Sequence, residues 1–140
     1  MSGQFQSSLQ VRMYEIAAQG HLTGSAYLNY ANQVLWEYLR SAEIDIDAML
    51  ASGIGPVNLE TSIQFLSELR AGHTAKVTCE LKFSTGKTYE AHQQFLKEDG
   101  TVAARLKGVY GLLDLRQRRL LVDPSAQWRR LAAHPERLGL

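Results

Sequence analysis

The sequence predicts an α+β layer fold in which one long central helix is wrapped by a five-stranded antiparallel sheet. Three observations carry this reading. Apolar residues recur at three- and four-residue spacing from residue 25 to about residue 40, and after Pro56 the period changes to two. Turn signals at Thr85-Gly86-Lys87 and Asp99-Gly100 then cut the second region into separate strands. A single apolar helix and one curved sheet satisfy each other only if the sheet wraps the helix.

Taken in order, Leu9, Val11 and Met13 alternate with Gln10, Arg12 and Tyr14, which predicts a first strand with its apolar face on the odd positions. The helix carries a stripe of Tyr27, Tyr30, Ala31, Val34, Leu35 and Tyr38. Leu28, Trp36 and Leu39 lie off that stripe, so the helix needs cover on several sides. Asp45 or Asp47 is placed to cap a short helix before residues 48–52, with Gly53 as its stop and Pro56 closing the helical section.

In the second strand Val57, Leu59, Thr61, Ile63 and Phe65 share one face against Asn58, Glu60, Ser62 and Gln64. The third turns Val77, Cys79, Leu81 and Phe83 inward, which makes Cys79 a core residue. The fourth presents Tyr89, Ala91, Gln93 and Phe95. The fifth, from about residue 101 to residue 115, presents Val102, Ala104, Leu106, Tyr110 and Leu112. These four strands are expected as a meander, with Asp99-Gly100 forming a type I′ turn whose two central positions take positive φ. A tail from Arg116 is expected to end in a short helix starting near Asp123-Pro124-Ser125.

At 140 residues the chain predicts one domain, 1–140, with a core over about 6–120 and a tail over 121–140. A hydrophobic share of 45% and a charged share of 21% exclude a disordered or fibrous chain. The net charge of +1 removes the electrostatic case for nucleic acid. The charge is unevenly spread: residues 1–70 hold three basic residues against seven acids, and residues 71–140 hold twelve against seven, so the second half could face an anion.

The lone Cys79 forms no intramolecular disulfide and points to a reducing compartment. The chain's start lacks the pattern of a secretory signal, and no apolar run approaches the length of a membrane span. A cytoplasmic protein without a membrane span is therefore expected. The four histidines show no metal-ligand spacing, so no metal and no cofactor are expected.

Chemistry concentrates in residues 14–33. Gly20 and Gly24 bracket His21 and the helix begins at once, which leaves the N–H groups of Gly24 and Ser25 unpaired and directed outward. Such a helix start suits an anion or an oxyanion.

Here the order of elements joins a set of local motifs: Val11-Arg12-Met13-Tyr14, Gly20-His21-Leu22, Tyr27-Leu28-x-Tyr30 and Trp36-Glu37-Tyr38-Leu39-Arg40, then Phe65-Leu66 followed by Gly72, and Asp99-Gly100-Thr101-Val102-Ala103. Together they resemble the hotdog-fold thioesterases of the 4-hydroxybenzoyl-CoA thioesterase type, from about residue 11 to residue 120. The resemblance implies hydrolysis of an acyl-CoA or acyl-carrier thioester to a carboxylic acid and free thiol. It also implies a site shared between the subunits of a homodimer or tetramer, and a thioester carbonyl held at the N–H that maps to Gly24.

The same resemblance places the family's loop carboxylate at Ala17, which can neither activate water nor attack a carbonyl. Glu15, two positions earlier on an extended segment and about 6–7 Å along it, is one substitute. His21, with an unperturbed pKa of about 6.5, is another. Glu60, on the strand face opposite Leu59 and Thr61, is a third. A second branch of the family carries its acid on the helix, at a position that maps here to Asn32, able to orient water but not to take its proton. Tyr27 and Tyr30 are candidates to line an acyl pocket, and Lys87 matches a position near the CoA phosphates. The alternative function is a non-catalytic hotdog protein that binds acyl-CoA, which Ala17 favours.

Overall fold

The computed structural model describes residues 4–140. In chain order these form β1 (Phe5–Gln10), a 3-10 turn (Met13–Glu15), α1 (Gly24–Ser41), α2 (Ile46–Ala51), β2 (Ile54–Phe65), β3 (Thr74–Phe83), β4 (Thr88–Lys97), β5 (Val102–Asp114), β6 (Arg119–Leu120), α3 (Pro124–Leu131) and a closing 3-10 turn (Pro135–Leu138). The strands make one antiparallel sheet in the order β1-β3-β4-β5-β2, and the two-residue β6 adds to β5. Helix α1 lies against this sheet and buries Ala26, Tyr27, Ala31, Val34, Leu35, Tyr38 and Leu39. No helix among the described residues is long and apolar enough to cross a membrane.

The expected helix is present, and both short helices begin at side-chain caps. Thr23 caps α1, Asp45 caps α2 by accepting from the Ala48 N–H at 3.0 Å, and Asp123 caps α3 with Pro124 in its first turn. The first strand is shorter than its alternation suggests. It ends at Gln10, and the chain then winds into the 3-10 turn, leaving Met13 and Tyr14 exposed while Val11 stays buried.

The four later strands are not a meander. Only β3, β4 and β5 follow one another; β2 pairs with β5 at the far edge of the sheet. The connection over residues 66–73 is tied down on both sides of its crossing. Leu66 N–H donates to Ala103 O at 2.9 Å, and the carbonyl of the fully buried Leu69 accepts from Leu22 N–H at 2.8 Å. Strand β2 also starts before Pro56, which an edge strand tolerates because its outward position needs no N–H.

Strict alternation fails in β2 for a further reason. Asn58 pairs with Tyr110 and Glu60 pairs with Val109, so Leu59 is an extra residue, a β-bulge. The inward set is therefore Pro56, Asn58, Thr61, Ile63 and Phe65. Val57 shares the outward face with Glu60, and Leu59 is left about half exposed.

The hairpin at Asp99-Gly100 forms, but with a different turn. Only Gly100 has positive φ (87°), Gly100 N–H donates to Lys97 O at 2.9 Å and Lys97 N–H to Thr101 O at 2.8 Å. This is a three-residue loop with glycine in the left-handed region. Asp99 accepts from the Thr101 N–H at 2.8 Å, which holds its carboxyl below the usual range.

Beyond residue 120 the chain is built into the core. Trp128 and Leu138 are fully buried, and Ala132 bridges to Ile44.

Cys79 is 1% exposed, and burial, reinforced by the Glu80 carboxylate, pushes its thiol up to about 12. A thiolate is thus scarce and unreachable in the folded protein. Iodoacetamide should leave Cys79 unmodified by mass spectrometry in native buffer and alkylate it readily in denaturing urea; rapid native labelling would contradict this packing.

Candidate functional site

The inward side chains of β2, β5 and β4 line up in four rows under α1. They are Asn58–Tyr110–Tyr89, Thr61–Gly108–Ala91, Ile63–Leu106–Gln93 and Phe65–Ala104–Phe95. The second row is made of small residues. Between it and the helix lies a cavity of about 330 Å³, walled on the α1 side by Leu28, Asn32, Leu35, Trp36 and Leu39.

Aromatic clusters pack on two sides of it. On one side Tyr27 meets Phe95 and Phe65 edge-on, with ring centroids 4.9 and 5.4 Å apart. On the other, Phe83, Tyr89 and Tyr110 form a stacked series at 5.3 and 5.9 Å, and Trp128 meets Tyr89 edge-on at 6.2 Å. The Tyr110 ring leans back over Gly108, where a Cβ would lie only 2.5 Å from its Cε1. Glycine is therefore what lets that ring flank the cavity.

Few polar groups face this space. Gln93 is 5% exposed and its Nε2 donates to Ala31 O at 2.8 Å, fastening the sheet floor to the helix. Thr61 Oγ1 donates to Asn58 Oδ1 at 3.0 Å. The rest of the lining is largely apolar, as an acyl or aromatic group requires.

The loop before α1 is a compact hairpin. Ile16 bridges to Leu22, Ala17 N–H donates to His21 O at 2.8 Å, and Thr23 N–H donates to Glu15 O at 3.0 Å. Thr23 Oγ1 accepts from Ala26 N–H at 3.3 Å and Thr23 O from Tyr27 N–H at 3.2 Å. Among the described residues the N–H groups of Gly24 and Ser25 have no acceptor, and both residues are exposed. They form the positive end of an 18-residue helix.

Glu15 sits at the end of the 3-10 turn, not on an extended segment. Its Oε1 accepts from the Arg12 N–H at 3.0 Å and from the Tyr30 hydroxyl. Burial, then the bond to Glu15, pushes the Tyr30 phenol up to about 12, so it stays a donor at any physiological pH. His21 is half-buried, with Nδ1 3.2 Å from Leu22 O. A carbonyl only accepts, so Nδ1 is the donor of this bond.

The structure thus brings Glu15, His21 and Gly24 together at the start of α1, and puts Asn32 on the cavity wall about 12 Å further along the helix. Tyr27, expected to line the pocket, is 3% exposed, packs against Phe95 and Phe65 and does not line the cavity. Glu60 is exposed on the outer sheet face beside the bulge, and Lys87 is exposed at the β3–β4 turn. Neither reaches the cavity of its own chain. Asn58, Gln93 and Tyr89 were absent from the expected site. A glutamine among the inward residues of β4 was the available signal for Gln93, whereas the bulge hid Asn58.

Removing the Tyr30 hydroxyl should unfasten Glu15. Tyr30→Phe is expected to lower unfolding free energy by about 1.5–3 kcal/mol in urea titration, the range for a bond to a charged acceptor. An unchanged midpoint would show that Glu15 is held by the Arg12 N–H alone.

Comparison with known proteins gives a consistent result. Residues 11–138 match the sequence profile of the thioesterase-like superfamily. A chloroplastic acyl-acyl carrier protein thioesterase of Arabidopsis thaliana is 29% identical over 126 residues, covering 89% of this chain. The match spans 66% of that relative's length, just under two thirds. A 1,4-dihydroxy-2-naphthoyl-CoA thioesterase from Synechocystis superposes with a TM-score of 0.80 at 16% identity, covering 91% of this chain and 93% of that one. A Staphylococcus aureus protein solved in complex with CoA superposes with a TM-score of 0.79 at 21% identity, covering 99% and 93%. The shared architecture is the hotdog fold.

Proposed function

The chain belongs to the thioesterase-like superfamily, and from that premise we propose that it hydrolyses an acyl-CoA thioester to a carboxylic acid and free CoA. The observation that carries this reading is the pair of unpartnered N–H groups at Gly24 and Ser25, opening a helix whose flank is the apolar cavity. A thioester oxygen placed there meets donors in the direction in which its negative charge develops. The CoA complex of one structural relative and the acyl thioester substrates of the others support this substrate class.

His21 serves as the base in place of a loop acid, since position 17 is alanine. Its Nε2 takes a proton from water as the water oxygen bonds to the thioester carbon, and the carbonyl electron pair moves onto the oxygen at Gly24. Collapse of this intermediate breaks the carbon–sulfur bond, and the departing thiolate takes the proton back from the imidazolium. Glu15, already engaged by Tyr30 and the Arg12 N–H, is a positioning residue that shapes the loop. Asn32 orients the acyl end or a water from the cavity wall.

A second copy completes the site. The outer edge of β2 is unpaired and carries exposed Leu59 and Phe65, with exposed Leu28 and Leu66 nearby. Pairing two such edges about a two-fold axis runs them antiparallel. The Phe65 end of one copy, beside its Gly24, then faces the Pro56 end of the other, beside its cavity. Glu60 and Lys87 contact substrate only across that boundary, Lys87 through the CoA phosphates.

A binding protein without turnover is the second reading, favoured by Ala17 and by the engagement of Glu15. Release of free thiol from short, long and aromatic acyl-CoA substrates decides between them. Gly24→Pro deletes one N–H yet suits the first helical position, because Thr23 is already extended (φ −72°, ψ 153°) and a Cβ at Gly24 would meet only Phe65 at 3.8 Å. It should lower kcat by about 10²–10³ with the fold intact. His21→Ala should lower it by about 10²–10⁴, and Glu15→Gln should retain most turnover. Acyl-CoA that stays bound and unhydrolysed would establish the second reading.

A further inference from the structure

Trp128 belongs to a part of the chain outside the helix and sheet that form the cavity, yet it stands against one of the cavity's walls. Its ring is fully buried and meets Tyr89 edge-on, with centroids 6.2 Å apart. Tyr89 in turn faces the cavity from the row that also holds Tyr110 and Asn58. The Trp128 indole N–H makes no well-formed hydrogen bond, and the Tyr89 side chain is the polar group it interacts with.

The segment that carries the ring is fastened at several points. Asp123 caps α3, Ala132 bridges to Ile44, His134 contacts Glu43, and the Arg137 guanidinium donates to Ser41 O at 2.8 Å. The segment that carries Trp128 is thus fastened to the C-terminal end of α1, the same end of the helix at which Leu39 lines the cavity.

On the reading of this cavity as the acyl site, we propose that Trp128 sets its depth and so limits the length of acyl chain the protein accepts. The ring braces Tyr89 as a blind end. Thr61, Gly108 and Ala91 leave room for an alkyl or aryl group in the middle of the cavity, and the Tyr89–Trp128 pair stops it. Acyl length would then be a property of α3, adjustable without change to α1 or to the loop at Gly24.

The test uses the full-length protein and a series of saturated acyl-CoA thioether analogues of increasing chain length, which cannot be hydrolysed. Dissociation constants are measured by calorimetry for the wild type, Trp128→Phe and Trp128→Leu, alongside kcat/KM for the matching thioesters. Shortening the ring should move the preferred chain to greater length, further in Trp128→Leu than in Trp128→Phe. The long-to-short affinity ratio should rise about tenfold or more, the discrimination typical of a methylene at the end of an apolar pocket. Should Trp128→Leu fail to unfold cooperatively, Trp128→Phe, which keeps an aromatic ring against Tyr89, decides the matter.

A folded variant with the wild-type ranking of chain lengths overturns the role of Trp128 and leaves the functional reading standing. A wild-type protein that binds none of the series overturns both. Weaker binding by the same factor at every length identifies a structural role only and also overturns the proposal.

Discussion

The circumference of α1 is the constraint to which the rest of the fold responds. Seven of its residues, from Ala26 to Leu39, are buried, and they do not fit on one narrow stripe. Burying a large apolar side chain stabilises by about 1.5–3 kcal/mol, so leaving these seven uncovered would forfeit a sizeable part of a domain's stability, while the polar face with Asn29, Asn32, Gln33 and Arg40 stays exposed. The sheet curls around it, β2 is carried to the far edge, and the C-terminal segment is recruited to cover what remains. Gln93 shows how closely helix and sheet are joined, since its amide reaches across the interface to a helix carbonyl.

The cavity is the place where this cover is deliberately thin. Rows of aromatic and bulky residues touch the helix on either side of Thr61, Gly108 and Ala91, which are too small to do so. A protein interior ordinarily fills such space, because a void forfeits dispersion contacts. Here the bulge at Leu59 supports the exception. It turns Asn58 and Thr61 inward together with Ile63 and Phe65, and leaves Leu59 on the open edge.

At the start of α1 the polar groups divide into those that are satisfied and those that are not. Thr23 answers the N–H groups of Ala26 and Tyr27, and Glu15 answers the Arg12 N–H and the Tyr30 hydroxyl. Among the described residues, the donors at Gly24 and Ser25 and the Nε2 of His21 have no partner. Free donors at a helix start, beside an apolar cavity, are the arrangement in which a developing oxyanion gains most. The carboxylate nearest to it, Glu15, is engaged by the Arg12 N–H and the Tyr30 hydroxyl, which is the reason the proposed mechanism gives the base's role to His21.

Much of this was decided locally and was legible in the sequence. The period of α1, the inward faces of β3, β4 and β5, the caps at Asp45 and Asp123 and the resemblance carried by the loop motifs all depend on residues close together in the chain. Only the tertiary structure decided the rest, because it depends on partners far apart. The edge position of β2 follows from its pairing with β5, roughly forty to sixty residues on. The bulge interrupts an alternation that the residues of β2 by themselves continue. Glu15 is held by the hydroxyl of Tyr30, fifteen residues away on a helix. Trp128 enters the core because residues 121–140 fold back to α1, and no pattern within those residues names the surface they cover.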